Sequence, residues 1–551
     1  MRLTPFAKFF ITVVVLGVVG YVGWTRYGAQ VRCWASPASC GATTAAGQGQ
    51  AAGDTKLTRD DFSGLGKAPA DADRGAGVPG VQKPTATQGK LGRPLRVAIN
   101  TWAGHAPGLV ANLGLAAGKN NGLYKKTYGI DVEFTLIEDP AAKLAAFQAG
   151  QIDVMWDTVD SWAREAAVLA EGKARGKAIL IQDWSRGGDG IVSLTDIKSV
   201  EDLAGKRIAT TEYTPSHWLL LYLLSQSGLS PEQKAGIEKS LVITQDAPAA
   251  AAMFKSGKVD AAVTWEPDLS AAVAARGDAA HVLVSTTAAT NVIADTLVAR
   301  QEIIDQAPET LAAFVAGWFD GIEAMRKDPS VATVVLGDAL RLDADTVSGM
   351  LSGLKLTPYA DNAVIFGLGG GKAHFETLFD TAFRIWRKKG VVSKVVDAHD
   401  EFEPRFVAAL SDKYKGTAVE EEKLPAKAAS TKDVPIINKT LSVNFTPGSD
   451  EIMQGSYFVL DSLGDTMISF GRTYLRIEGN TDATGAKKVN LELSKRRAQA
   501  VKAYLVKNFN LPTERFQTLG HGSENPVAGN ETEAGRQLNR RTDIKVLLAA
   551  P

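Results

Sequence analysis

Leu144-Ala145-Ala146-Phe147-Gln148-Ala149-Gly150-Gln151-Ile152-Asp153-Val154 decides how the middle of this 551-residue chain is read. A helical pattern over 141–149 runs into a glycine, then into Asp-Val at the head of an apolar run over 153–156. The same outline returns at Met253-Phe254-Lys255-Ser256-Gly257-Lys258-Val259-Asp260-Ala261-Ala262. There a helix is predicted over 247–255 and a strand over 261–265. Other strands are predicted over 95–100, 130–137, 178–182, 207–211, 241–244 and 296–299, with helices such as 215–226 between them. Such alternation predicts a mostly parallel α/β architecture. The span 94–410 is long enough for two lobes.

These phrases resemble the repeated "helix, Gly-x-x-Asp-Val, strand" unit of type II periplasmic solute-binding proteins. Ile197-Lys198-Ser199-Val200-Glu201-Asp202-Leu203-Ala204-Gly205-Lys206-Arg207-Ile208-Ala209 resembles the start of their second lobe. The branch is that of the nitrate/sulfonate/taurine and thiamine-precursor binding proteins of ABC transporters. The resemblance implies lobe 1 at about 94–189 and 296–410, lobe 2 at about 190–295, and a ligand between them. It also makes an ABC-transporter permease a candidate partner.

Ligands of open α/β sheets lie beyond the carboxyl ends of strands. That rule and the resemblance put Trp102, Trp156, Asp157, Thr158, Asp183, Trp184 and Asp189 at the cleft. Tyr213, Thr214, Ser216, Trp265 and Glu266 face them from lobe 2, and Asn291 lies near the return crossing. Any one tryptophan could simply be packing; four at four strand ends suit pocket walls. Asp189 could equally serve only the glycine-rich turn before it, and His105 reads as a satisfied loop histidine. Arg186 is the one Arg or Lys in these segments. The acids suit a cation or amine over aromatic faces, although the Thr214–Ser216 helix start could hold an anion through backbone N–H groups.

Near the C-terminus, Thr481-Asp482-Ala483-Thr484-Gly485 precedes a helix predicted over 487–508. Val489, Leu493, Val501 and Tyr504 would form its apolar stripe, and Arg497 falls on that stripe. An inward guanidinium needs a partner, and a carboxylate is favoured before a helix N-terminus. Asp482 and Arg497 could form a structural salt bridge, or together grip a ligand bearing both an ammonium and a carboxylate. Ile477–Asp482, Asn490…Leu493-Ser494…Arg497-Ala498, Gly520–Pro526 and Gly535–Arg541 resemble the OmpA-like peptidoglycan-binding domain, over 434–548. The resemblance implies an α+β sandwich in which Asp482 and Arg497 hold diaminopimelate, with Thr481, Asn490 and Arg541 near the pocket. Asn480 stands where many members have His.

The N-terminus carries basic residues and then an apolar run, Phe9–Trp24. At about 24 Å as a helix it is slightly short for a bilayer core. It is read as a single-pass inner-membrane anchor with residues 1–8 cytoplasmic and the bulk of the chain periplasmic, a cleaved signal being the rival reading. Polar, low-complexity stretches at 25–93 and 411–433 read as linkers. Net charge is zero, which gives no bulk attraction to nucleic acid. Cys33 and Cys40 are the only cysteines and make a poor zinc site; their spacing leaves a disulfide open. No metal, cofactor or catalytic group is expected: nucleophile-elbow, Walker and His-Glu-x-x-His patterns are lacking. Two readings follow: a solute-binding protein tethered to peptidoglycan, or an envelope scaffold or sensor whose binding domain no longer serves transport.

Overall fold

The computed structural model describes residues 80, 83–117, 122–370, 373–419, 435–446 and 448–548. The Phe9–Trp24 run, both cysteines and most of the two polar stretches lie outside them. Among the described residues, no helix is long and apolar enough to cross a membrane.

Lobe 1 is built on β1 (Leu95–Ile99), β2 (Val132–Leu136), β3 (Val154–Thr158) and β4 (Gly176–Ser185). Lobe 2 contains β5 (Asp189–Leu194), β6 (Ile208–Thr211), β7 (Val242–Thr244), β8 (Ala261–Trp265) and β9 (Ala280–Ser285). The chain then returns to lobe 1 as β10 (Ala294–Arg300) and β11 (Leu354–Leu356). The sheet orders are β11-β4-β10-β3-β1-β2 and β9-β5-β8-β6-β7. Both sheets are mixed, which corrects the mostly parallel expectation. The returning β10 runs antiparallel between β3 and β4, and β5 runs antiparallel to β8 and β9. β10 enters its sheet from the lobe 2 side rather than through a local strand–helix–strand unit, so the alternation that predicts parallel pairing does not govern it.

The repeated sequence unit builds the same device in each lobe. Helix α1 (Pro140–Ala149) ends at Gly150, φ 75°, and α2 (Ala247–Lys255) is followed by Gly257, φ 73°. Both glycines take the left-handed turn that other residues resist. The aspartate that follows then accepts the N–H of an arginine on the neighbouring strand: Arg96 to Asp153 at 3.0 Å, Arg207 to Asp260 at 2.9 Å. Asp153 is fully buried and also holds the Arg93 guanidinium at 2.9 Å, with Arg96 at 3.5 Å. Asp260 pairs with Arg207 at 2.9 Å near the surface. One motif is therefore a core ion cluster in lobe 1 and a solvated pair in lobe 2.

The C-terminal domain has the sheet order β12-β15-β13-β14. These strands are β12 (Ile437–Leu441), β13 (Thr473–Asn480), β14 (Phe516–Gly522) and β15 (Thr542–Leu548). Helices α3 (Tyr457–Ser469) and α4 (Lys487–Phe509) pack together on this sheet. The buried face of α4 is Asn490, Ser494, Arg497, Ala498, Val501 and Leu505; of the predicted stripe Val501 and the inward Arg497 are buried, Leu493 and Tyr504 are half-buried, and Val489 is 63% exposed. The sheet beneath presents Gly479 and Gly520, whose missing Cβ atoms would strike the Ser494 backbone and side chain. Close approach thus selects small residues on the helix.

The C-terminal domain is docked on the solute-binding domain rather than merely strung behind it. Ile436 O accepts the Val200 N–H at 3.0 Å, and the Glu201 carboxylate accepts the Asn438 N–H at 3.2 Å. Tyr222 stacks on Phe470 with ring centroids 6.1 Å apart. Asn291 donates its N–H to Ser469 O at 3.0 Å and its side-chain amide to Ile468 O at 2.8 Å.

Candidate functional site

Strand ends of the two lobes enclose a cavity of about 670 Å³, a size that holds a small organic molecule. From lobe 1, Trp102, Trp156, Asp157 and Thr158 line it; from lobe 2, Asp189, Tyr213, Thr214 and Trp265. Five other sequence-predicted residues do not. Asp183 is fully buried behind Trp102, whose indole N–H donates to both carboxylate oxygens at 3.3 Å. Trp184 packs against His374, ring centroids 6.0 Å apart. Ser216 is buried in the helix Pro215–Gln226. Glu266 folds back to accept the Ser270 hydroxyl at 2.6 Å. Asn291 belongs to the interdomain contact and also accepts from Arg186 at 3.0 Å. Successive side chains of a strand point to opposite faces, so a residue near a strand end need not meet the cavity.

Helical and loop residues such as Lys143, Glu165 and Asp246 complete the wall, with Asp295 from β10. Lys143, outside the segments assigned to the cleft from sequence, is the base on its wall, and Arg186 is not. It sits three and four residues before Ala146 and Phe147, on the buried side of α1, a spacing that marks it as inward-facing. Lys143 is 1% exposed, lies 3.1 Å from Glu165 and 3.5 Å from Asp157, and stands over the Trp156 ring at 4.4 Å.

The cleft floor is crowded with carboxyls. Burial pushes Asp183 up to about 8 and Asp189 and Asp160 up to about 7. Asp157 and Asp295 are also raised well above the usual range, by burial first and then by neighbouring acids. His105 lies between Gln182 at 2.8 Å and Asn100 at 2.7 Å, and burial lowers it to about 4.

In the C-terminal domain, β13 delivers Asp482 to the loop before α4, and Asn490 donates to Asp482 O at 3.2 Å and Thr484 O at 3.0 Å. The Asp482 carboxylate accepts the Thr484 N–H at 2.8 Å and an Arg540 N–H at 2.7 Å. Burial alone would raise it, but these donors hold it below the usual range. Arg497 stacks on Phe445 at 4.9 Å and donates Nε–H to Ser449 O at 3.1 Å. Its two terminal nitrogens have no hydrogen-bond partner among the described residues. The Thr481 N–H donates to Gly522 O at 2.8 Å, so this residue fixes the loop. Arg541 is committed to Asp543 at 3.0 Å and to Asn525 O. Arg540, not Arg541, is the arginine on Asp482. Adjacent residues leaving a helix point in different directions, and only contacts distinguish them.

The fold is a two-lobed α/β domain with a cleft between its lobes, joined to a second, smaller α/β domain. Residues 111–332 match the family described as NMT1/THI5 like, and residues 444–540 match the OmpA family. The chain is 34% identical over 111 residues to outer membrane porin F of Pseudomonas aeruginosa, covering 20% of this chain and 32% of that protein. It is 36% identical over 95 residues to the peptidoglycan-binding protein ArfA of Mycobacterium bovis, covering 17% and 29%. The chain thus spans about a third of the length of these curated relatives. The crystal structure of the periplasmic aliphatic sulphonate binding protein SsuA from Escherichia coli aligns with a TM-score of 0.44 at 19% identity, covering 62% of this chain and 98% of that one.

Proposed function

We propose that this chain is a periplasmic solute-binding protein held at the cell wall by its C-terminal domain. In this reading Asp482 takes the ammonium of diaminopimelate and Arg497 its carboxylate. The observation that carries it is the state of the pair. Asp482 is oriented by Arg540 and Thr484, while the Arg497 fork, 8% exposed, has unfilled N–H donors. A buried guanidinium without an anion is costly, and a carboxylate ligand would satisfy it in bidentate fashion. The Phe9–Trp24 run would be the inner-membrane anchor, and binding rather than catalysis the role of the cleft. Sedimentation with purified sacculi tests the wall-binding part. The parent chain is expected to pellet with them and Asp482→Ala/Arg497→Ala to remain soluble; equal pelleting refutes the assignment.

The contact of Asn291 with Ile468 and Ser469 favours a second reading, a sensor. It joins the wall-binding domain to the crossing between lobes, where a closing motion would be absorbed.

A further inference from the structure

We infer that the solute of this cleft is a small organic cation, an ammonium compound seated at Asp295 between the indoles of Trp102 and Trp265. The inference rests on the solute-binding reading above and names the ligand class.

The cavity wall carries eight carboxylates and a single base, Lys143. Lys143 is already neutralised by Asp157 and Glu165. Several of the acids have internal work. Glu138 accepts from the Thr101 hydroxyl, Asp139 and Asp246 cap helices, and Asp189 accepts from the Ser185 hydroxyl at 2.7 Å. Asp295 has none. Nine-tenths buried, it lines the cavity and makes no side-chain hydrogen bond or ion pair among the described residues. The Asp157 Oδ2 is likewise buried without a hydrogen bond.

Register adds a second, independent strain. Asp295 on β10 stands directly opposite Asp183 on β4. Two acids in that relation resist ionising together, and a buried carboxylate without a counter-charge is costly. A cation in the cavity relieves both. No three carboxylates are placed to hold a metal ion among the described residues. The wall is aromatic instead, which suits an organic cation over indole faces. Trp102 is held in place by its bond to Asp183, while Trp265 faces the cavity from lobe 2. An anion would find no uncommitted base. The helix start at Thr214 offers little, since its hydroxyl already accepts the His217 N–H.

The test titrates the purified full chain with butylammonium, butanesulfonate and butanol, which share a tail and differ in head-group charge. Calorimetry is expected to show binding of butylammonium alone. Asp295→Asn and Trp265→Ala are each expected to weaken it about tenfold, while both variants still pellet with sacculi. Two variants guard against misfolding of either. Binding of butanesulfonate or butanol, or unchanged butylammonium affinity in both variants, overturns the cation inference and leaves a solute-binding protein. If none of the three probes binds, the cation inference fails; if a broad metabolite panel also leaves the melting temperature unmoved, solute binding fails with it.

Discussion

Arg540 Nη1 donates to the carboxylate of Asp482 at 2.7 Å, while Arg540 Nη2 reaches Glu533 at 2.6 Å. The acid of the proposed wall site is therefore tied down from the end of the last helix of the domain, while the terminal N–H groups of Arg497 stay open to a ligand. This gives the two arginines different weights. Arg497→Ala is expected to abolish retention on sacculi. Arg497→Lys is expected to recover only part of it, because a lysine lacks the planar fork. Arg540→Ala is expected to weaken retention less, about tenfold or under, since an exposed pair contributes modestly. Equal effects in a sedimentation series would show that Arg540 itself meets the ligand.

Stability should fall with rising pH in the neutral range. In the unfolded chain Asp160, Asp183 and Asp189 ionise near 4. In the fold they hold protons up to about 7, 8 and 7. They face one another, Asp157, Asp295 and Glu266, and the nearby bases are Lys143 and Arg164, both at the Asp157–Glu165 end. The folded state thus binds more protons over this interval, and stability declines as pH rises through it. His105 and His217, lowered to about 4 by burial, act in the opposite sense, but only below their ordinary value of 6.5. Between about pH 6.5 and 8 the aspartates act in the same sense as Glu401, raised to about 7 by burial, and His399, raised by its bond to Glu376. The ligand-free chain is expected to melt lower at the upper end, and Asp183→Asn to flatten the slope. A rise in melting temperature over that interval contradicts this.

Asp153 and Asp260 occupy equivalent places in the two lobes but differ in burial. Asp153→Ala strands the 4%-exposed Arg96 without its anion, at a cost of about 3–5 kcal/mol. Asp260→Ala removes a solvated partner of Arg207 and should cost about 1 kcal/mol. Urea unfolding of the two variants compares them directly, and similar losses would show that the shared backbone bond, not burial, sets the value.

Asn291→Ala removes the amide bonds to Ile468 O and from Arg186. The expected loss is about 1 kcal/mol per bond, concentrated at the interdomain contact. Calorimetry should then resolve two transitions where the parent shows closer coupling; a single unchanged transition would locate the coupling elsewhere, at Glu201 or Tyr222.

Local sequence carried much of the fold. The helices Pro215–Gln226 and Ala247–Lys255 and the strand Ala261–Trp265 stand where they are predicted. Here apolar period and glycine stops act within a few residues. Pairing was less legible, because β10 owes its antiparallel place to a crossing from lobe 2 that no local pattern encodes. In the site, Trp102, Trp156, Asp157 and Trp265 could be placed from strand ends. Asp183 could not be separated from Asp295, its direct partner across the ladder, since only the indole of Trp102 lying over Asp183 leaves Asp295 as the acid that meets the cavity. Arg540 and Arg541 posed the same problem at a helix end.

The contact of Asn291 with Ser469 gives the wall domain a mechanical role in lobe geometry. Force entering at Asp482 and Arg497 passes through β13 and α3 into the crossing segment without traversing a slack tether. Under the wall-binding proposal, a pull on the sacculus would be a torque on the lobes. By reciprocity, whatever closes the lobes alters the tension the anchored domain can bear.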